Sequence, residues 1–252
     1  MNVVVLGSGS CAPTARRGSS GLLVYTGSTT LLLDGGGGVV EKLVQTDRSY
    51  TDLAAVLYTH LHCDHTGGIV PLIFALNNTP LYTRDKPLPI YGPRGLTEFI
   101  EGLPAAWPKP WLAPEGYEIL TTELGSGTFT VGDVGVAAEP VEHAGIPCIG
   151  YRLESGGVSL AYSGDTGECE GILKLAQGVD LLILECSHAD GVELAGHLTP
   201  SQCGRIATRA GAKRLLLTHM YADCDEVDIA AQCRNTYTGE VTVAEDLMRV
   251  EV

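Results

Sequence analysis

Short apolar runs separated by glycine-rich turns fill the first quarter of the chain. Runs of this kind, rich in valine and leucine and bounded by glycine, are typical of β-strands. The turns include GSGS at residues 7–10 and DGGGG at residues 34–38. The pattern predicts strands at residues 3–6, 21–25, 29–34 and 53–59.

Farther along, strand patterns alternate with helical ones. The segment TPSQCGRIATRAG begins with Thr199 as a helix N-cap and Pro200 at the first helical position, which is a typical start of a helix. The predicted helices cover residues 67–76, 95–103, 171–178, 199–211 and 225–234. The further predicted strands cover residues 87–93, 127–143, 149–155, 157–165, 180–187, 214–220, 240–243 and 248–251.

These elements form two successive strand-rich halves with helices attached, and no linker divides them. We therefore predict one domain over residues 1–252, of the α/β (α+β) class. Two stacked sheets with helices on their outer faces explain the element order better than a parallel Rossmann sheet does.

Residues 103–114, LPAAWPKPWLAP, contain four prolines and both tryptophans of the chain. A helix does not tolerate this density of proline. One interpretation is a loop whose tryptophan rings cover an edge of the core. The other is a rim of the active site or a dimer contact, because tryptophan is enriched at interfaces. The sequence leaves both open.

Composition indicates a globular chain and argues against broad binding of nucleic acid. Hydrophobic residues make up 44% of the chain. The chain has 16 basic and 30 acidic residues, which gives a net charge of −14. Affinity for nucleic acid depends heavily on neutralisation of phosphates by lysine and arginine. A local basic patch stays open, with Arg16 and Arg17 as an adjacent pair in a predicted loop.

The chain has no apolar run of the length needed to cross a bilayer, and its start, MNVVVLGSGS, lacks the basic segment of a signal peptide. We therefore expect a cytoplasmic protein without a membrane partner. Its eight cysteines include no C-x-x-C pair, and we expect them to be reduced thiols.

The densest chemistry lies in THLHCDHTGG, residues 59–68, which holds three of the seven histidines. In an extended segment His60 and His62 point the same way and can bind one ion. Asp64 and His65 lie just past the turn and can face a second ion. Holding these groups together without a cation would be costly, and imidazole with carboxylate suits zinc, iron or manganese. The stretch therefore predicts a metal site.

Other candidate ligands lie at the ends of predicted strands. His143 comes after VAAEPVE, Asp165 after VSLAYSG, and His219 after RLLLT. Asp34 comes after TTLLL. Strand ends that bring imidazoles and carboxylates to one rim can build a metal cluster on rigid elements.

The pattern H-x-H-x-D-H at residues 60–65 resembles the signature of the metallo-β-lactamase-fold hydrolases. The supporting motifs LLLDGG, VEHAG, YSGDT and LLTHM follow in order, so the resemblance covers nearly the whole chain. It implies a four-layer αββα sandwich with two divalent metal ions at one edge of the sheets. Zinc is the expected ion, with Mn²⁺ or Fe²⁺ as alternatives.

Carried over position by position, the resemblance also implies the ligands. The first ion would be held by His60, His62 and His143. The second would be held by Asp64, His65 and His219. Asp165 would bridge the two ions. Asp34 would orient the loop that carries His60 and His62, or would serve as a turn former at a strand end.

The segment GHLTPSQCGRIATRAGAKRLLLTHM, residues 196–220, resembles the ribonuclease Z-like phosphodiesterase branch, in which a histidine in an H-x-T setting faces the metals. His197 would then act as a general acid toward the leaving group. Glu185 would orient His197 and keep its imidazolium form populated. Asp64 counts as a catalytic residue besides its ligand role. For His188 a substrate contact and a local structural contact both stay open.

In the tRNA-processing members of that branch, an arm that grips tRNA lies between the counterparts of His143 and Asp165. Here these residues are only 22 positions apart, and the sequence between them predicts a hairpin. We therefore predict a phosphodiesterase that attacks a small or medium phosphodiester with a metal-bridging hydroxide. Nucleic acid is disfavoured as a partner.

Two other activities stay open. One is that of a ribonuclease Z-type tRNA 3′-processing endonuclease. The other is hydrolysis of a lactone, carboxylic ester or thioester, since the same hydroxide can attack a carbonyl carbon. A homodimer is an expectation from the resemblance alone.

Overall fold

A computed structural model describes residues 1–106 and 111–252. The β-strands are β1 (Asn2–Gly7), β2 (Gly21–Tyr25), β3 (Thr30–Leu33), β4 (Ala55–Leu57), β5 (Leu88–Gly92), β6 (Ile119–Glu123), β7 (Gly127–Val131), β8 (Val134–Pro140), β9 (Ile149–Ser155), β10 (Val158–Tyr162), β11 (Leu181–Glu185), β12 (Arg214–Thr218), β13 (Glu240–Val243) and β14 (Arg249–Glu251). The α-helices are α1 (Val39–Leu43), α2 (Cys63–Thr66), α3 (Ile69–Asn78), α4 (Leu96–Gly102), α5 (Glu170–Ala176), α6 (Pro200–Ala210) and α7 (Ile229–Arg234).

The strands form two seven-stranded mixed sheets. The first sheet has the order β14-β1-β2-β3-β4-β5-β6 and the second the order β13-β12-β11-β10-β9-β8-β7. Strands β3 to β6 run parallel in the first sheet, and strands β10 to β13 run parallel in the second. Within each of these runs the strands end at the same edge of the sheet, so the segments that follow them lie close together.

Both faces of the first sheet are buried, and its central strands are therefore apolar at successive positions. In β1, Val3 and Val5 pack in the core between the two sheets. Val4 and Leu6 pack in a second core, together with residues of α1, α3 and α4. Helices α5, α6 and α7 contact strands of the second sheet. The predicted sandwich of two sheets with outer helices is confirmed.

Strand β6 and helix α1 are among the elements that the sequence did not predict. Strand β6 lies at the edge of the first sheet, and most of its residues are half-buried or exposed, so no apolar run marks it. Helix α1 is a single short helix of five residues that begins after Gly38, whose φ is 83°. Glycine adopts this left-handed conformation without steric cost.

Two predicted elements depart most from their limits in the structure. The predicted strand at residues 127–143 is a hairpin of β7 and β8 that turns at Gly132, where φ is 58°. The predicted helix at residues 225–234 begins only at Ile229 as α7, because the side chain of Asp228 accepts a hydrogen bond from the backbone of Ala231 and caps the helix there.

Part of the tryptophan- and proline-rich segment 103–114 can be located. Residues 107–110 lie outside the described part of the chain. Leu112 is buried in the core under α3 and α4, and the Trp111 ring lies 6.3 Å from the Phe74 ring. Leu112 thus anchors this segment to the core, and both the covering of a core edge by tryptophan rings and a rim or dimer role stay predictions. Within the described residues, no helix has the length and apolarity to cross a membrane.

The predicted site residues lie at the ends of parallel strands. Asp34 follows β3, His60 follows β4 by three positions, and Glu185 ends β11. Asp34 and His219 have positive φ angles of 53° and 59°, which are uncommon for residues other than glycine. Such strained positions cluster at functional sites, so their presence at these strand ends indicates one there.

Candidate metal centre

The motif at residues 60–65 combines an extended segment with one helical turn. His62 has φ −63° and ψ 149° and is the N-cap of α2, which then carries Asp64 and His65. The two glycines after it permit a close approach of loops. A Cβ on Gly68 would lie 2.7 Å from the carbonyl oxygen of Gly36. Local structure thus separates the motif into two pairs of side chains.

The first group consists of His60, His62, His143 and Asp165, whose potential ligand atoms lie within 4.8 Å of one another. The Nε2 atoms of His60 and His143 lie 3.9 and 3.8 Å from Oδ2 of Asp165. Nε2 of His143 also lies 3.3 Å from Nδ1 of His62. Three imidazoles and one carboxylate oxygen therefore surround one point.

The second group consists of Asp64, His65 and His219. Nε2 of His65 lies 3.5 Å from Oδ2 of Asp64 and 3.3 Å from Oδ1 of Asp165. Nε2 of His219 lies 3.4 Å from the same oxygen of Asp64 and 3.2 Å from the same oxygen of Asp165. Asp165 thus presents one carboxylate oxygen to each group.

The opposite ring nitrogens are held by hydrogen bonds. Nδ1 of His65 donates to Asp34 at 2.8 Å, and Nδ1 of His143 donates to the carbonyl oxygen of Gly196 at 2.9 Å. Nδ1 of His219 lies 3.2 Å from Oγ of Ser187. A proton on Nδ1 leaves the Nε2 lone pair free as a metal ligand, which is how outer hydrogen bonds orient ligating histidines.

Three buried atoms of the cluster have no hydrogen-bond partner, namely Nε2 of His60, Nε2 of His65 and Oδ1 of Asp165. Leaving buried polar atoms unpaired costs free energy of about 1–3 kcal/mol each. All three point into the two groups, where a pair of cations would satisfy them. The donor set of imidazoles and carboxylates fits divalent ions such as zinc, manganese or iron.

The surroundings of His60 and Asp165 favour the protonation states in which these side chains can bind a metal ion. Burial, together with the neighbouring His65, lowers the pKa of His60 far below its usual value, so its imidazole stays neutral. Burial opposes ionisation of Asp165, but the adjacent His219 and His65 outweigh burial and hold the pKa of that carboxyl well below its usual range. Both groups are thus ready to bind cations near neutral pH.

Asp34 is fully buried beneath the cluster. Besides the bond from His65, its carboxylate accepts hydrogen bonds from the backbone N–H of Thr59 at 2.8 Å and from the Tyr162 hydroxyl at 2.8 Å. It therefore fixes both the ring of His65 and the residue that precedes His60. Tyr162 has no counterpart in the predicted site, because its place at the end of an apolar strand gives no chemical signal.

His197 lies between the two groups. Its ring centroid is 4.7 Å from that of His143 and 6.0 Å from that of His219. Nδ1 of His197 donates to Oε1 of Glu185 at 2.8 Å. Burial alone lowers the pKa of His197, but the hydrogen bond and charge of Glu185 outweigh it, so the pKa is raised from its ordinary value.

Glu185 is fully buried and organises the loops around His197. Its carboxylate accepts hydrogen bonds from the backbone N–H groups of Thr166, Ser187 and Leu198, at 3.0, 3.2 and 3.1 Å. Ser187, which the sequence alone did not single out, donates to the same carboxylate at 2.8 Å. Its position after a strand and two residues past Glu185 was the only signal available.

His188 is turned away from the two groups. Its Nδ1 lies 3.0 Å from Oδ1 of Asp223, and its ring stacks on that of Tyr221 with centroids 4.6 Å apart. The Tyr221 ring in turn lies 6.4 Å from the His219 ring. The observed contacts of His188 are local ones, and a contact with substrate stays a prediction.

Comparisons with known proteins agree with this geometry. A family model described as the Beta-lactamase superfamily domain matches residues 29–220. A protein of Mycolicibacterium gilvum (strain PYR-GCK) named Ribonuclease Z is 31% identical over 279 aligned positions, which cover 100% of this chain and 96% of that protein. A Ribonuclease Z of Methanothermobacter thermautotrophicus is 28% identical, with 100% and 97% coverage.

Two solved structures are similar over their whole length. The metallo-beta-lactamase fold protein YhfI from Bacillus subtilis has a TM-score of 0.87 and 28% identity, covering 100% of this chain and 99% of that chain. The short form of human tRNase Z (ELAC1) has a TM-score of 0.81 and 26% identity, with 100% and 99% coverage. The chain therefore belongs to the beta-lactamase superfamily, as a metal-dependent hydrolase of the ribonuclease Z-like branch.

Proposed function

We propose that the protein is a dinuclear phosphodiesterase that acts on small or medium phosphodiesters. The observation that carries the proposal is the shared carboxylate of Asp165, which places one oxygen 3.8–3.9 Å from His60 and His143 and the other 3.2–3.3 Å from His219 and His65. A site with this division accommodates two cations side by side.

In this proposal His60, His62 and His143 would hold the first ion. Asp64, His65 and His219 would hold the second ion, and Asp165 would contribute an oxygen to each. Two divalent ions, which we expect to be zinc with Mn²⁺ or Fe²⁺ as alternatives, would supply a hydroxide nucleophile and would neutralise charge on the phosphoryl oxygens. Asp64, which is also a predicted catalytic residue, acts here through its ligand role.

The chain's own proton donor is His197. Its Nδ1–H is bound to Glu185, which leaves the other ring nitrogen without that partner, and one ring nitrogen of His197 lies within 4.8 Å of ligand atoms of Asp165 and His219. A proton held there can pass to the leaving alkoxide, which is a poor leaving group without it. Glu185 positions the ring and stabilises its protonated form through the carboxylate charge.

We infer the size of the substrate from the segment between His143 and Asp165. It consists of a tight turn followed by the hairpin of β9 and β10, which leaves no room for an inserted arm. The net charge of −14 also opposes a long polyanion. Both features favour a short phosphodiester over a folded RNA.

A simple assay tests this function. We expect the zinc- or manganese-loaded protein to hydrolyse bis(p-nitrophenyl) phosphate, and Asp165→Ala to lose both the activity and bound metal. Asp47→Ala is the matched control, because Asp47 is exposed and pairs with Arg249 at 3.0 Å on the surface. An Asp165→Ala protein as active as the parent would contradict the bridging role.

The proton donor has its own test. His197→Ala should lower kcat about 10²–10⁴-fold, the range typical of a general acid, while the metal content per chain stays unchanged. The loss should be smallest for a substrate with a good leaving group, because such a group departs without a proton. If the substitution removes the metal instead, His197 is a ligand and the assigned role is wrong.

The second candidate function is tRNA 3′-end processing, which is favoured by relatives named Ribonuclease Z that align over the whole chain. Gel-shift with precursor tRNA across a salt series separates the two, since true phosphate contacts weaken steeply as salt rises. Lactones, carboxylic esters and thioesters complete the substrate panel. Turnover of these alone would replace the phosphodiester proposal.

A further inference from the structure

A cavity of about 600 Å³ opens beside the cluster, on the side of His143. Its lining includes His143 itself and also Ala195 and Gly196, the two residues that precede His197. The cavity thus borders both a proposed metal ligand and the loop of the proposed proton donor. Its volume lies in the range of about 300–1,000 Å³ that is common for small-molecule sites.

The walls of this cavity are fixed by backbone contacts. Residues 143–146 form a tight turn in which Ala144 and Gly145 have φ angles of 48° and 72°. A Cβ on Gly196 would lie 2.8 Å from the backbone nitrogen of Ala144, so the two loops touch and only glycine fits there. The bond from His143 to the carbonyl oxygen of Gly196 ties the same loops to the cluster.

The lining has a clear chemical character. Val141, Ala144, Ile146 and Ala195 supply apolar side chains. None of the nine lining residues is a lysine or an arginine, and the one acid is Glu142, which is exposed at the rim. An uncharged apolar group gains free energy by leaving water here, whereas an anionic group meets a carboxylate and no lysine or arginine among the lining residues.

The cavity is also unsuited to binding by base stacking. The imidazole of His143 is the only ring among its lining residues. Sites for single-stranded nucleic acid combine a basic groove with aromatic side chains on which bases stack. In a polynucleotide the group next to the scissile phosphate carries a further phosphate, which this lining does not neutralise.

We infer that this cavity binds one organic substituent of the phosphodiester and selects an uncharged apolar substituent, aliphatic or of a single ring, over one that carries a second anion. The inference rests on the proposed function and adds a substrate class to it. The substrate is then a diester of a small apolar alcohol or phenol, and the metals bind its single phosphate.

Titration calorimetry with simple phosphonates tests the inference without requiring turnover. The zinc-loaded protein is titrated with methylphosphonate, phenylphosphonate and 4-carboxyphenylphosphonate. We expect phenylphosphonate to bind about tenfold more tightly than methylphosphonate, because its ring leaves water in the cavity. The 4-carboxyl group should remove that gain, since it adds an unpaired anion.

Variants locate the effect. Ala195→Phe fills the cavity and Ile146→Ser removes part of its apolar wall, so both should reduce the preference for phenylphosphonate over methylphosphonate. Val192→Phe is the matched control, because Val192 is an exposed residue of the same loop that does not line the cavity. Glu142→Gln should recover part of the affinity for the carboxylated ligand.

Equal affinity of the parent for phenyl- and methylphosphonate would overturn the inference. So would a preference that persists in both Ala195→Phe and Ile146→Ser. The failure of the proposed function has a different signature, since the protein would then bind phosphonates with the expected preference and yet hydrolyse no phosphodiester.

Discussion

Two of the buried polar clusters in the described part of the chain differ in how completely their atoms are paired. The Arg17 cluster consists of Arg17, Ser8, Asp225 and the carbonyl group of Ala244. Arg17 is only 4% exposed, and it donates to Asp225 at 2.8–3.2 Å, to Ser8 at 3.0 Å and to Ala244 at 2.6 Å. The metal cluster consists of the two groups of candidate ligands that share Asp165. In contrast to the Arg17 cluster, it leaves Nε2 of His60, Nε2 of His65 and Oδ1 of Asp165 without hydrogen-bond partners.

This difference separates a structural cluster from one that needs a ligand. Buried charges are tolerated when they are paired and hydrogen-bonded, and the Arg17 cluster meets this condition with protein atoms alone. In the metal cluster, bound cations would satisfy the unpaired atoms. A chelator should therefore destabilise the protein through the metal cluster and leave the Arg17 cluster unaffected.

The largest effect is expected for His60→Ala. It should lower kcat/KM by about a thousandfold or more, equivalent to about 4 kcal/mol, because one ion loses a ligand. It should also reduce the rise in Tm that zinc gives to the parent, since binding to the native state is linked to stability. Hydrolysis rates and thermal melts with and without chelator measure both effects.

If zinc raised the Tm of the His60→Ala protein as much as it raises that of the parent, the proposed difference between the two clusters would be wrong. Such a rise would show that the unpaired nitrogen of His60 does not contribute to metal binding.

The next largest effect is expected for Arg17→Met. Removing one partner of a buried ion pair typically costs about 3–5 kcal/mol, and the lower end applies here because Asp225 is partly exposed. The loss should be the same with and without chelator. Urea unfolding curves measure it, and Arg16→Met is the control, because Arg16 is 64% exposed and lies 3.8 Å from Asp225.

If the Arg17→Met protein bound less metal than the parent, the two clusters would not be independent of each other. An equal loss of stability in Arg16→Met would also contradict the prediction, since surface pairs contribute only about 0–1 kcal/mol.

A smaller effect is expected for Asp34→Asn. The carboxylate of Asp34 holds the ring of His65 and the backbone before His60, so its loss should weaken metal affinity by about 10–100-fold. Competition with a chromophoric chelator measures this change. If affinity is unchanged while the free energy of unfolding falls, Asp34 supports the fold and not the metal site.

The smallest effect is a dependence on pH. The hydrogen bond from Arg17 holds the pKa of Asp225 below its ordinary value. This contribution to stability is therefore present above the unfolded pKa of about 4 and is lost as pH falls through the lower folded value. The difference in unfolding free energy between the parent and Arg17→Met should narrow below about pH 4. If the difference in unfolding free energy stayed constant down to about pH 2, the stabilising effect assigned to ionised Asp225 would be wrong.

The sequence predicted the metal cluster better than the Arg17 cluster. Three imidazoles and a carboxylate in six positions at residues 60–65 are a chemical signal in themselves. Arg17 gave no such signal, and beside Arg16 it left open a basic patch. The structure instead buries Arg17 against Asp225, which lies 208 positions away in the chain, so this pair does not form an exposed patch.

The sequence by itself determined the apolar strands, the division of the motif at residues 60–65 into two pairs, and the family to which the chain belongs. These depend on side-chain spacing within one element, which local geometry fixes. Tertiary structure brings Asp165 to both groups and Glu185 to His197, which the sequence predicted only through the resemblance, and it alone decided that an apolar cavity borders His143. Such contacts depend on the register and stacking of two sheets, because strand ends far apart in the chain meet only when the whole sandwich is packed.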